Sequence, residues 1–230
     1  MENPGTLILT GAASGIGRCA AEALAKRSRV LALVDANEGA LAEVERQFRQ
    51  ISPQSRGFVC DVTDAGAVTR TCEKILREMG SIGVLVNCAG IGKHAPFLEL
   101  QPEDWIRMFD VNVMGCVHFM RAVLPGMIAA KCGLIINIGS RMAVDPHANT
   151  TAYAASKGAL LALTRALALE VKQHGVKMTL LAPGGAKTNI ATPKHEGYLE
   201  PEALADAIVY VTENGGNVWV RELTVLPIGF

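Results

Sequence analysis

The stretch LILTGAASGIGRCAAEAL, residues 7–24, joins an apolar run to an alanine-rich one through Gly11, Gly15 and Gly17. Its first part, with Thr6, is short and nearly all apolar, as expected of a strand whose two faces are both covered. From Gly15 onward the apolar residues recur at helical spacing. Glycines let a backbone turn sharply and approach a neighbour closely. A helix N-terminus adds unpaired N–H groups and a partial positive charge, which suit a diphosphate. The spacing is G-x-x-x-G-x-G, which departs from the generic dinucleotide pattern G-x-G-x-x-G. Two readings are open for the turn Gly11, Ser14, Gly15, Ile16, Gly17: a nucleotide cradle, or glycines that only cap and pack a tight strand–helix junction.

The same alternation continues along the chain. TLILT (6–10), VLALV (30–34), GFVC (57–60), VLVN (84–87), LIINIG (134–139), MTLLA (178–182) and ELTVL (222–226) read as strands. Helical patterns fall at 15–27, 38–51, 64–79, 103–130, 151–173 and 201–213. Seven apolar strands alternating with helices predict an α/β fold, a doubly wound parallel sheet with right-handed crossovers. Pro125 should kink or end the 103–130 helix, because it lacks an N–H and crowds the preceding turn. The irregular segments 91–101, 141–150 and 184–200 each follow a strand's C-terminal end, where open α/β sheets bind ligands.

Composition narrows the function. The chain has 230 residues, 50% hydrophobic and 19% charged, enough for a sizeable core and consistent with one domain spanning 1–230. Lys plus Arg equals Asp plus Glu at 22 each, so no basic footprint points to nucleic acid or a membrane surface. Six cysteines without a C-x-x-C pair suit buried hydrophobes in a reducing compartment. The start MENPGTLILTG lacks a basic leader pattern, and no uninterrupted apolar stretch reaches membrane-spanning length. A cytoplasmic location is expected. None of the histidines has metal-ligand spacing with another, so no metal is expected.

Asp35 ends the second strand, where an acid can accept hydrogen bonds from ribose hydroxyls. Its rival role is helix N-cap, since Asp35 and Glu38 have capping-box spacing. An acid here repels a 2′-phosphate, and neither Ser14 nor Ala36 supplies a compensating cation. The expectation is NAD(H) in preference to NADP(H). Further on, TAYAASKGALLALTRALALEV (151–171) places Tyr153 and Lys157 one turn apart on a mostly apolar helix. They read as a solvated edge or as a working pair.

TGAASGIG, CDVTD, NCAG, DVN, IGS, YAASK and APGGAKT occur in that order. Together they resemble the short-chain dehydrogenase/reductase family, from about residue 6 to the strand near 226. The resemblance implies a single-domain Rossmann-type fold with a seven-stranded parallel sheet. It also implies hydride transfer between a nicotinamide cofactor and a secondary alcohol or ketone. Tyr153 would give or take the proton and Ser140 would hold the substrate oxygen. A free phenol is a poor base at neutral pH; a nearby ammonium such as that of Lys157 favours phenolate. Lys157 would also hold the nicotinamide ribose, and Asn112 would steady a water leading toward solvent. Asp61 and Val62 would contact adenine, though Asp61 also reads as a turn residue. Asn87, Ala89 and Gly90 would pack beside the adenosine, with Cys88 replacing the usual second Asn. Pro183, Gly184, Ala186 and Thr188 would reach the carboxamide and diphosphate.

The substrate is less legible. The segment between Thr188 and the helix near 200 is short, which suits a carrier-linked acyl group or a small molecule closed in by a neighbouring subunit. Arg141 and His147, with Lys93, Lys187 and Lys194, form either a cationic rim for an acidic substrate or a set of solvated loop charges. Two alternatives share the fold, a non-catalytic NAD(H) sensor and a sugar-nucleotide epimerase or dehydratase. The resemblance also implies a homotetramer or homodimer.

Overall fold

The computed structural model describes residues 5–27, 29–188, 190, 196–214 and 218–228. The strands are β1 (Thr6–Thr10), β2 (Leu31–Asp35), β3 (Arg56–Val59), β4 (Ile82–Asn87), β5 (Gly133–Ile138), β6 (Val176–Pro183) and β7 (Glu222–Val225). The main helices are α1 (Gly15–Ala25), α2 (Glu38–Phe48), α3 (Ala65–Met79), α4 (Pro102–Phe109), α5 (Gly115–Ala129), α6 (Thr151–Val171) and α7 (Pro201–Glu213). The strands form one parallel sheet in the order β3-β2-β1-β4-β5-β6-β7. This is the single-domain Rossmann-type architecture expected from the sequence.

Period-two alternation explains how one apolar strand serves two layers. Leu7, Leu9, Leu31 and Leu33 join α1, α2 and α7 in one buried cluster. Ile8, Ala32 and Val34 turn the other way and join α3, α5 and α6. Helix starts are fixed locally. Asn37 caps α2 by accepting from the Ala40 N–H, and Asp64 caps α3 by accepting from Ala67. Asp104 accepts from the Gln101 N–H and completes a capping box on α4. The cap of α2 is therefore Asn37, and Asp35 is left for other work.

The 103–130 region departs from expectation. Helix α5 continues through Pro125 to Ala129, and the irregularity lies earlier, as a π-turn over Asp110–Met114. Pro125 is exposed, and so is Arg121, the residue whose carbonyl a proline at 125 leaves without its helical donor. By length and composition alone the run Pro102–Ala129 would cross a bilayer. Here its Phe119, Met120, Val123 and Met127 side pack into the sheet's core. All six cysteines are free thiols.

A polar ladder crosses the centre of the core. Asn87 on β4 and Asn137 on β5 are register partners, and the Asn87 amide donates to Asn137 Oδ1 at 2.8 Å. Asn137 in turn donates to Thr164 Oγ1 on α6 at 2.9 Å, and Thr164 donates to the Leu160 carbonyl. Asn137 is fully buried, so Asn137→Leu leaves the Asn87 amide without its acceptor. Chemical denaturation should show a loss of roughly 1–3 kcal/mol, the cost of an unsatisfied buried donor; an unchanged midpoint would mean that the ladder contributes nothing.

Candidate active site

The sheet reverses its winding between β1 and β4, and the C-terminal ends of these two strands diverge into helices on opposite faces. Such a switch point opens a crevice. The cavity there has a volume of about 830 Å³, ample for a dinucleotide-sized ligand.

Its first wall is the glycine turn. Gly11 and Gly15 have φ of +67° and +49°, a region that side chains rarely adopt. A Cβ on Gly17 would stand 2.1 Å from the Gly11 carbonyl oxygen, and one on Gly11 would stand 2.8 Å from Ala89 Cα. The glycines therefore do pack a tight junction, and that packing brings the N-terminus of α1 against the turn after β4. Thr10 Oγ1 accepts from both the Cys88 and Ala89 N–H groups, at 3.0 and 3.1 Å, and locks the contact. Ser14 sits at the N-cap of α1 with its side chain uncommitted to the helix. Thr188 lies beside Gly15, its Cγ2 3.7 Å from where a Cβ would be.

Asp35 closes this end. One carboxylate oxygen accepts from the Ala13 N–H and the other from the Asn37 N–H, each at 2.9 Å. The acid thus braces the glycine turn while lining the cavity beside Ala36. Asp61 and Val62 line it too, and Asp61 also accepts from the Thr63 N–H and hydroxyl, so its turn role coexists with its place in the wall. Burial pushes the Cys88 thiol up to about 12, which keeps it protonated and inert beside Ala89 and Gly90.

The opposite end gathers the polar side chains. Ser140, Tyr153 and Lys157 all line the cavity. Ser140 Oγ accepts from the Met142 N–H at 3.1 Å, leaving its own proton to donate. Lys157 is buried, donates to the Ile138 carbonyl at 2.8 Å, and lies 5.8 Å from the Tyr153 ring centroid. Asn112, on the π-turn, is fully buried and does not line the cavity. Its amide accepts from the Ile91 N–H and donates to the Ile91 carbonyl, both at 2.9 Å, and donates to Ser156 Oγ. Ser156 donates to the Tyr153 carbonyl. Asn112 therefore fastens the segment after β4 to the helix that carries Tyr153.

Of the other sequence candidates, Ile16, Pro183, Gly184 and Ala186 line the cavity. Asn87 does not, because it is buried within the polar ladder. Segment 184–200 is tied at its base by a parallel bridge between Ala186 and Leu199 and by backbone bonds from Lys187 to Leu199 and from Leu199 to Gly185. The rim charges are paired: Lys93 with Asp104, Lys187 with Glu200, and Arg141 with Asp145. His147 is exposed, bonds Arg141 at 2.8 Å, and stays out of the cavity wall. Lys194 lies outside the described residues. Thr10 and Ser156 were not singled out from the sequence, though both stand within its motifs. His94, also missed, lines the cavity with its ring edge-on to Tyr153, centroids 5.8 Å apart. Burial, and then the nearby His147, hold His94 below the usual imidazole range.

The short chain dehydrogenase family matches residues 5–199. An uncharacterized oxidoreductase of Staphylococcus saprophyticus is 35% identical, with 96% of each chain covered. The alcohol dehydrogenase of Thermococcus sibiricus, solved with 5-hydroxy-NADP, superposes with a TM-score of 0.91 at 27% identity, covering 97% of both chains. The 3-ketoacyl-(acyl-carrier-protein) reductase of Brucella melitensis, solved with NADH, gives 0.89 at 26% identity and 96% coverage of both.

The Asp35 brace makes a two-part prediction. Asp35→Asn removes the charge and keeps one acceptor oxygen, enough for the Ala13 N–H but not for the Asn37 N–H as well, so NADPH affinity should rise several-fold relative to NADH in fluorescence titrations. Asp35→Ala loses the brace to both N–H groups and should weaken both nucleotides; an unchanged NADH/NADPH ratio in both variants would place ribose discrimination elsewhere. From the turn's packing against β4 to the serine, tyrosine and lysine in one crevice, the chain is an oxidoreductase of the short-chain dehydrogenase family.

Proposed function

We propose that this protein interconverts a secondary alcohol and a ketone by hydride transfer with NAD(H). The observation that carries the proposal is the convergence of Ser140, Tyr153 and Lys157 on the cavity whose other end is the glycine turn and Asp35. A nicotinamide bound there supplies or accepts the hydride. The chain does the rest. Ser140 donates to the substrate oxygen, and Tyr153 transfers the proton on that oxygen. Lys157, held by the Ile138 carbonyl, sets its charge beside the phenol and keeps two N–H groups for a ribose. Asn112 keeps the site's two supporting segments in register, and its amide stands close enough to the lysine for both to crowd the space over Gly90. In this reading Gly11, Ser14, Gly15, Ile16 and Gly17 hold the diphosphate with Thr188, while Asp61, Val62, Ala89 and Gly90 hold the adenosine. Pro183, Gly184 and Ala186 hold the nicotinamide end.

Asp35 beside Ala36 favours NAD(H), since a 2′-phosphate would meet a carboxylate, and the nearby Arg18 is turned to Gln47. The paired rim cations favour a neutral reacting end over an acidic one, with any carrier-linked bulk left outside the cavity. The proposed setting is the cytoplasm, as a homotetramer or homodimer acting on a small-molecule or carrier-linked substrate, with substrate entering between segments 91–101, 141–150 and 184–200. The retention of Ser140, Tyr153 and Lys157 in one crevice speaks against a nucleotide sensor without chemistry.

Tyr153→Phe should lower kcat at least a hundredfold while NADH binding by fluorescence titration stays within about threefold, in line with the usual contribution of a positioned acid/base. Turnover near that of the unmodified protein would overturn the assignment. Binding of neither nucleotide by the unmodified protein would overturn the function as a whole.

A further inference from the structure

The turn after β3, residues 60–64, puts Asp61 and Val62 in the cavity wall. It hangs from an edge strand, since β3 stands first in the sheet and is paired on one side, with β2. One bond, from the Cys60 N–H to the Asp35 carbonyl at 3.0 Å, ties it to that neighbour. The bonds that Asp61 takes from Thr63, and from the Asp64 N–H, shape the turn without anchoring it. The anchor comes from α5. His118 Nδ1 lies 3.0 Å from the Val62 carbonyl oxygen. A carbonyl only accepts, so Nδ1 carries the proton and the imidazole donates. One turn earlier on the same helix face, a Cβ on Gly115 would stand 2.7 Å from Val62 Cγ2 and 3.0 Å from Val62 Cβ. The first turn of α5 thus holds Val62 at its carbonyl by an oriented bond and at its side chain by close packing.

The inward residues of the same helix, Cys116, Phe119, Met120, Val123 and Met127, are apolar and buried. A half-buried imidazole among them gains little from apolar burial. What it adds is one directional bond, and that bond ends on a residue of the cavity wall. His118 itself does not line the cavity. The π-turn just before Gly115 carries Asn112, which secures the opposite end of the cavity through Ile91 and Ser156. Residues 112–118 therefore brace both ends of one crevice from behind. A wall residue fixed by supporting hydrogen bonds presents its surface to a ligand in one place.

Resting on the function proposed above, we infer that His118 is a positioning residue for the adenine half of the nucleotide, acting through the Val62 carbonyl. It does not touch the ligand; it sets where the wall formed by Asp61 and Val62 meets the base. Both bonds from Thr63 fall on Asp61 Oδ1, which leaves Oδ2 able to accept from an amino group. Adenine carries an exocyclic amino group where hypoxanthine carries a carbonyl oxygen, so a carboxylate held against that edge favours adenine. Without the His118 donor the turn at 60–64 loses its tie to α5. The loss falls on the base that the turn recognises and leaves the nicotinamide end, held by other residues, in place.

The experiment measures, by fluorescence titration, the dissociation constants of NADH and of its analogue with hypoxanthine in place of adenine. The unmodified protein should prefer NADH by about fivefold or more, the share of one well-placed hydrogen bond. His118→Leu should weaken NADH by about three- to tenfold and leave the analogue within about twofold, so that the preference collapses. His118→Asn, whose side-chain amide nitrogen can stand where Nδ1 does, should restore most of it. Equal weakening of the two dinucleotides in His118→Leu would assign the ring to general packing and overturn the inference. So would a preference that survives the substitution, or one that His118→Asn fails to restore. Should His118→Leu not fold, His118→Phe, which keeps a ring and lacks the donor, is read in its place. Binding of neither dinucleotide by the unmodified protein rejects the proposed function and this inference with it, whereas binding of both with equal affinity rejects this inference alone.

Discussion

The contact on which this structure turns is the approach of the β1 end to the turn after β4. Gly11 stands so close to Ala89 that a methyl group would overlap its backbone, and Gly17 stands closer still to Gly11. Thr10 then spends one hydroxyl oxygen on two backbone N–H groups across the gap. A sheet that reverses its winding between adjacent strands leaves their ends without a crossover above them. Small residues let those ends close at the base of the crevice while α1 and the segment after β4 open above it. The cavity's depth and the direction of the α1 N-terminus both follow from that approach.

From this junction the polar groups divide into those that face the cavity and those that hold others in place. Asp35 does both, since it lines the wall and ties down the Ala13 and Asn37 N–H groups. Asn112 and Asn87 do only the second. Asn112 secures Ile91 and, through Ser156, the first turn of α6; Asn87 anchors β4 to β5 and, through Asn137 and Thr164, to the same helix. Helix α6 is thus fixed at two levels by buried amides and hydroxyls, in a layer otherwise made largely of apolar side chains. Such satisfied networks define one packing register where apolar contact alone would tolerate several.

Much of the fold was legible because its signals are local. Strand positions followed from short apolar runs and helix positions from 3.6-residue spacing; all seven strands and the main helices lie within a few residues of where those patterns put them. The exception is informative. Pro125 was expected to disturb its helix, yet the disturbance is the π-turn at Asp110–Met114, which carries no proline and no glycine. The π-turn brings Asn112 inward to Ile91 and Ser156, and the partners that stabilise it are distant in sequence. Pro125 and Arg121 both lie on the exposed side of the helix, where a missing helical bond costs less than in a buried setting.

The candidate site divides in the same way. The glycine turn, Asp35, Ser140, Tyr153 and Lys157 could be named from sequence because turn chemistry, strand ends and i,i+4 spacing, with the family motifs, mark them locally. The sequence by itself determined the layered α/β fold, the position of the glycine turn and the Ser140, Tyr153 and Lys157 set. Only the tertiary structure decided that Asn87 faces a strand and not the cavity, that His147 turns aside while His94 turns in, and that the rim lysines and Arg141 meet Asp104, Glu200 and Asp145. The physical reason is that burial and ion pairing depend on which loops the sheet's strand order brings together, and no residue's own neighbourhood in the chain encodes that order.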